Sequence, residues 1–188
     1  MRIVSGRFRG KLLKTPGGDA TRPTSDRARQ AIFNILEHAE WSPGLRDRRV
    51  MDLFAGSGAL GLEAMSRGAS FCLFVETNEA ARGAIRDNVE ATGLFGATRV
   101  HRRDATDLGP RPGPVGDAFD LAFLDPPYRK GLGERALDAL KAGGWLTADA
   151  LVVLERGADE PDPDLPDWEE VDRRDYGAAR VFFLKPRG

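Results

Sequence analysis

The 188-residue chain has one cysteine, Cys72, and two histidines, His38 and His101. A single thiol cannot close an intrachain disulfide and suits a reducing cytoplasm, where the chain is expected to work. So few imidazole and thiolate donors argue against a His/Cys metal site, and no metal is expected. No apolar run approaches the ~20 residues of a membrane span. The opening residues Met1-Arg2-Ile3-Val4-Ser5-Gly6-Arg7 lack the apolar segment of a signal peptide. Net charge is almost absent too, at −1. That total conceals two stretches of opposite sign. Residues 1–30 carry Arg2, Arg7, Arg9, Lys11, Lys14, Arg22, Arg27 and Arg29 against Asp19 and Asp26. Residues 157–172 carry acids and no basic residue. Near-neutrality therefore does not exclude a polyanionic partner, because the basic stretch can carry that contact alone.

What is present fits one soluble domain with a sizeable core and a small appendage: 41% hydrophobic and 30% charged residues. Residues 2–15 alternate in parts and are punctuated by Gly6 and Gly10. They are expected to form a small β-hairpin that leans on the main domain and grips RNA through its positive charges. The plainer alternative is a solvated edge hairpin that uses charge to resist aggregation. Thr24 or Ser25 then caps a helix to about residue 40, with Ala28, Ile32, Ile35, Leu36 and Ala39 as its buried stripe. Arg27 and Arg29 sit where the helix dipole disfavours cations. Their two readings are phosphate or carboxylate contact and plain solvation.

From residue 49 onward strands alternate with helices. The expected strands are 49–54, 71–75, 98–102, 119–124 and 151–154, followed by an antiparallel pair at 169–175 and 180–184. This is an α/β, doubly wound, mostly parallel sheet covered on both faces. In such sheets ligands bind beyond the carboxyl ends of the strands. Four acids fall there: Asp52, Glu76, Asp104 and Asp125.

The stretch Asp52-Leu53-Phe54-Ala55-Gly56-Ser57-Gly58-Ala59-Leu60-Gly61 reads as strand end, glycine turn and helix start. Its glycines let a ligand approach the backbone, and the helix N-terminus offers unpaired N–H groups. Asp52 is placed to face a cation, Glu76 to hold ribose hydroxyls, and Asp104 to take an adenine amino group. These features suit NAD as well as S-adenosylmethionine. Asp125-Pro126-Pro127-Tyr128 separates the two. The prolines remove donors, so the Asp125 carboxylate and the Pro126 carbonyl can accept both hydrogens of an exocyclic amine. Tyr128 offers a face on which an extruded base stacks. An acceptor-only Asp125 also suits the adjacent N1–H and N2–H of guanine better than adenine. Arg129 and Lys130, just beyond, are placed for substrate phosphates.

With these residues named, the chain resembles the bacterial 16S ribosomal RNA guanine-N2 methyltransferases, a branch of the class I S-adenosylmethionine-dependent enzymes. The resemblance spans the length. It rests on Ile3-Val4-Ser5-Gly6-Arg7-Phe8-Arg9-Gly10, Arg22-Pro23-Thr24-Ser25-Asp26-Arg27, Phe33-Asn34, the glycine turn through Glu63, and Asp125-Pro126-Pro127-Tyr128. It implies a Rossmann-like domain over residues 21–188, with residues 1–20 as a basic RNA-binding extension. It implies S-adenosylmethionine held by Asp52, Phe54, Ala55, Gly56, Ser57, Gly58, Glu76, Asp104, Ala105 and Asp125, with Asp125, Pro126 and Tyr128 at the reacting amine. It implies RNA contacts from Arg2, Arg7, Arg9, Lys11, Arg22, Arg27, Arg29, Arg129 and Lys130, and a monomer acting on the small ribosomal subunit or its precursor. Glu76-Thr77-Asn78 departs from the family in lacking a further acid after the ribose-binding one. Three competing readings are an adenine-N6 methyltransferase, an NAD-dependent oxidoreductase, and a non-catalytic ribosome-assembly factor.

Overall fold

The computed structural model describes residues 1–17 and 24–188. The expected Arg22 contact lies outside the described residues. Strands β1 (Arg49–Leu53), β2 (Phe71–Val75), β3 (Thr98–His101), β4 (Phe119–Leu124), β5 (Leu146–Gly157), β6 (Trp168–Tyr176) and β7 (Ala179–Pro186) form one sheet. Their order is β3-β2-β1-β4-β5-β7-β6. The first five run parallel. β7 is antiparallel to both β5 and β6. Helices α1 (Asp26–His38), α2 (Ala59–Ser66), α3 (Glu79–Thr92) and α4 (Leu132–Ala142) cover the two faces.

Strand alternation assigns the faces. Val50, Cys72, Phe74, Leu121, Phe123 and Val153 join Phe33, Leu62, Ile85 and other residues of α1, α2 and α3 in one core. Met51, Leu53, Leu73, Val75, Ala122 and Leu124 meet Leu137 and Leu140 of α4, with Trp145, in the other. Burial on both faces explains why β2 is written as an unbroken apolar run, Phe71-Cys72-Leu73-Phe74-Val75. β5 is much longer than the expected 151–154. It pairs with β4 on one side and β7 on the other. Its start joins β4 at Leu146, across a register shift, and its end runs on along β7 to Gly157.

Two expectations are corrected at the N-terminal end. The regular hairpin is reduced to one antiparallel bridge, Arg2↔Leu12. Its turn spends its amides on α2 instead: the Arg7 N–H donates to the Ser66 carbonyl at 2.8 Å and the Phe8 N–H to Ser66 Oγ at 2.9 Å. Ile3 and Leu13 are buried in the α1–α3 core, so the segment does lean on the domain. In α1, capped by Ser25, the buried residues are Arg29, Ile32, Phe33 and Leu36. Ala28, Ile35 and Ala39 are only half-buried. The helix is turned so that an arginine takes the place expected for an alanine.

Candidate active site

Strand order reverses between β1 and β4, which makes their carboxyl ends the switch point of the sheet. Leu53 pairs with Val75 on one side and Leu124 on the other, and Leu124 pairs with Leu154. The residues that follow therefore sit side by side along one edge: Glu76, Phe54, Asp125 and Glu155.

The turn after β1 holds Phe54 at φ 57° and Gly56 at φ 58°. A left-handed phenylalanine is strained, and such strain gathers at binding sites. A Cβ on Gly56 would meet nothing within 4 Å, so the turn presents open backbone to a ligand. Gly61 has a different duty. A Cβ there would lie 2.6 Å from Cys72 Sγ and from the Phe74 ring, so glycine lets α2 press onto β2. Ser57 and Ala55 are buried within the turn.

Glu76 Oε1 accepts the Gly56 N–H at 2.8 Å and Oε2 the Asn78 N–H at 2.9 Å. A carboxylate has further lone pairs for hydroxyl donors. Asp104 is exposed, with Ala105 buried behind it. The Thr106 hydroxyl and amide bond to Asp104 and hold its carboxyl below the usual range, so it is an ionised acceptor. Asp52 corrects the expectation of a carboxylate facing a cation. It is 1% exposed, and its Oδ2 accepts the Gly61 N–H at 2.9 Å. Burial pushes its carboxyl up to about 8, against the pull of that amide. Asp52 shapes the turn from below and meets a ligand only through it.

After β4, Asp125 is half-buried, Pro126 buried, Pro127 exposed and Tyr128 half-buried. Burial, and then the neighbouring Glu155 carboxylate, drive the Asp125 carboxyl well above the usual range. Glu155 is a site residue the sequence reading missed. It ends the apolar run Leu151-Val152-Val153-Leu154 as a fifth acid at the same edge, and that pattern was there to be used. Its Oε2 accepts the Tyr128 hydroxyl at 2.8 Å and its Oε1 the Thr24 hydroxyl at 3.1 Å.

Of the expected phosphate contacts, Arg2, Arg7, Arg9, Lys11, Arg27 and Lys130 are exposed. Arg29 is not among them. It is fully buried, its Nε lies 3.5 Å from Glu63 Oε1, and its Nη atoms bond to the Thr24 and Arg2 carbonyls and to Asp26. The same Glu63 accepts the Val4 and Ser5 amides and the Arg67 Nε. Arg29 thus fastens the N-terminal segment and is out of reach of RNA. Arg129 is exposed at φ 63°, but its guanidinium pairs with Asp159 and its N–H donates to Glu160. Asn88, also missed, is a buried staple: its Nδ2 donates to the carbonyls of Lys14 and Ser57, and its Oδ1 accepts the Lys14 N–H.

A family described as conserved hypothetical protein 95 matches residues 1–185. The chain belongs to that family. It is 36% identical to the ribosomal RNA small subunit methyltransferase D of Escherichia coli strain K12 over 166 residues, 88% of this chain and 79% of that one. The Haemophilus influenzae protein of the same name is 32% identical over 162 residues, 86% of this chain and 81% of that one. The solved structure of Escherichia coli yhhF matches with a TM-score of 0.80 at 32% identity, over 100% of this chain and 98% of that chain. The expected Rossmann-like methyltransferase fold is the fold of this chain.

Proposed function

We propose that the chain uses S-adenosylmethionine to methylate the exocyclic N2 of a guanine in 16S ribosomal RNA. The observation that carries this reading is the pairing of opposite turns at the switch point: open glycine backbone after β1, and Asp125-Pro126-Pro127-Tyr128 after β4. The site residues fit the cofactor. Glu76 has acceptor capacity for ribose hydroxyls, Asp104 is an ionised acceptor for an amino group, and the turn surface at Gly56 is unobstructed. When bound, the cofactor supplies the methyl group.

The chain's own part is positioning. Asp125 and the Pro126 carbonyl accept the two amine hydrogens, which turns the nitrogen lone pair out of the ring. Tyr128 stacks on the extruded base. Residues 1–20 form an RNA-gripping extension of the 21–188 domain, with Arg2, Arg7, Arg9, Lys11 and Arg27 meeting phosphates. The names of the relatives support ribosomal RNA of the small subunit as substrate. The test is transfer of labelled methyl from S-adenosylmethionine to small subunits from cells lacking this gene, followed by nuclease digestion. Label on guanine N2 at one site is expected. A second reading, adenine N6, is favoured by the raised Asp125 carboxyl, because a protonated acid turned to the base would serve adenine N1. Label on adenine in the same digest would select it.

A further inference from the structure

Glu155 is an acid at the strand edge, beside Asp125, that the proposed reaction leaves without work. It is 8% exposed, and it accepts hydrogen bonds from two neutral hydroxyls, those of Thr24 and Tyr128. Register places it next to Asp125, since Leu124 pairs with Leu154. Alternation turns both side chains to one face, that of Phe123 and Val153. The adjacent Arg156 offers it no charge: its guanidinium pairs with Glu134 and Glu160.

We propose that Glu155 is the terminal proton acceptor of the reaction, receiving through Asp125 the proton that the target amine sheds on methylation. This rests on the methyltransferase reading above and adds a residue to it. Two carboxyls this close share one proton and carry one negative charge between them, as in other carboxylate pairs. Asp125 then points its proton inward at Glu155 and an acceptor oxygen outward at the amine. As the nitrogen gains its methyl group it becomes cationic. Its N–H bond breaks, the electron pair stays on nitrogen, and the proton bonds to the outward oxygen of Asp125. The proton already on Asp125 passes to Glu155. The pair ends neutral and the amine ends neutral.

The other charged groups facing the pair are few. Asp52 lies below on β1; it is protonated at neutral pH and adds to the effect of Glu155 on Asp125 only as pH rises past about 8. Glu134 of α4 and Glu160, beyond β5, both pair with Arg156. Arg129 pairs with Asp159. Sharing widens the pH range over which the pair holds a single negative charge.

The experiment compares the unaltered chain with Glu155→Gln, which keeps the shape and a hydrogen-bonding group for the two hydroxyls. Single-turnover methylation of small subunits is followed against pH. The acidic limb is expected to move up by about one pH unit in Glu155→Gln, because a lone Asp125 fills with its proton sooner than the pair takes its second. A slower rate at every pH with the limb unmoved would make Glu155 a structural prop and overturn the proposal. The second readout needs no turnover. The infrared carbonyl stretch of protonated carboxyls at neutral pH is expected to lose the same band in Asp125→Asn and in Glu155→Gln, while that of Asp52 stays. No loss in Asp125→Asn, or a loss there alone, would overturn the shared proton. Failure of the unaltered chain to methylate any nucleic acid strikes the functional reading instead, and the infrared comparison still decides whether the pair shares a proton.

Discussion

The turn after β1 and the turn after β4 are neighbours, since Leu53 pairs with Leu124, and they are built from opposite materials. The first is backbone laid bare: Gly56 and Gly58 take positive φ, and the space beside Gly56 is open. The second is backbone stripped of donors by Pro126 and Pro127 and lined by the carboxyls of Asp125 and Glu155. Each includes or ends on a strained non-glycine residue, Phe54 or Arg129. In the proposed reading, open backbone on one side and acceptors on the other let a single edge hold a hydroxyl-bearing sulfonium cofactor against an amine. The acids divide in the same way. Asp52, beneath the glycine turn, works on the fold, whereas Asp125, in the proline turn, is the acid set at the amine in the proposed reaction.

Substitutions that touch one turn and spare the other break this comparison most sharply. Asp125→Ala is expected to lower methyl transfer by roughly 10²–10⁴-fold. Cofactor affinity, measured by calorimetry, should stay near that of the unaltered chain. Joint loss of both would mean the turns are not separable. Gly61→Ala strikes the other side, since its Cβ would lie 2.6 Å from Cys72 Sγ. It should cost about 1–3 kcal/mol of stability in denaturant titrations and weaken cofactor binding.

Asp52→Asn sharpens the division between acids. The folded carboxyl is pushed up to about 8 from its ordinary 3.8, so the folded chain binds the extra proton between those values. The contribution of Asp52 to stability is complete at low pH and is lost as pH rises through that window, by at most about 1.4 kcal/mol per pH unit. The stability of Asp52→Asn relative to the unaltered chain should therefore rise from about pH 4 to pH 8 and then level off. A gap independent of pH would show that Asp52 is ionised throughout. Smallest in effect on the fold, replacing Arg7, Arg9 and Lys11 with alanine should leave both turns intact. It should reduce the salt dependence of RNA binding by a slope of about 2, at ~0.7 for each single-stranded phosphate contact. An unchanged slope would return these residues to plain solvation.

Much of the frame could be read from the chain because burial on both faces writes each central strand as an apolar run bounded by a turn. The bounds of β4 agree with the sequence reading, and those of β1 and β2 agree to within a residue. β5 was shortened because its pairing with β4 at Leu146 and with β7 through Glu155, Arg156 and Gly157 leaves no mark on hydropathy. Arg29 shows a different limit. Positions 29, 32, 33 and 36 follow a helical stripe as well as the one chosen, but a charge argues against burial until its partner is known. One partner, Asp26, is close in sequence but stays exposed; the buried one, Glu63, lies 34 residues away inside α2. Asn88 was hidden for the same reason, since its work is to join Lys14 and Ser57, which are near each other only in the fold.

Glu63 has a consequence for how this architecture can be taken apart. Its carboxylate is fully buried and accepts the amides of Val4 and Ser5, so the basic segment supplies part of the solvation of a charge in the domain beneath it. The appendage is therefore not a detachable module. Trimmed away, it leaves an under-solvated anion in the core. Grafted onto another methyltransferase, it arrives without the acid, the serine and the asparagine that seat it. A lineage keeping this basic segment must inherit Glu63, Ser66 and Asn88 together with it, so the history of the segment is bound to that of the domain beneath it.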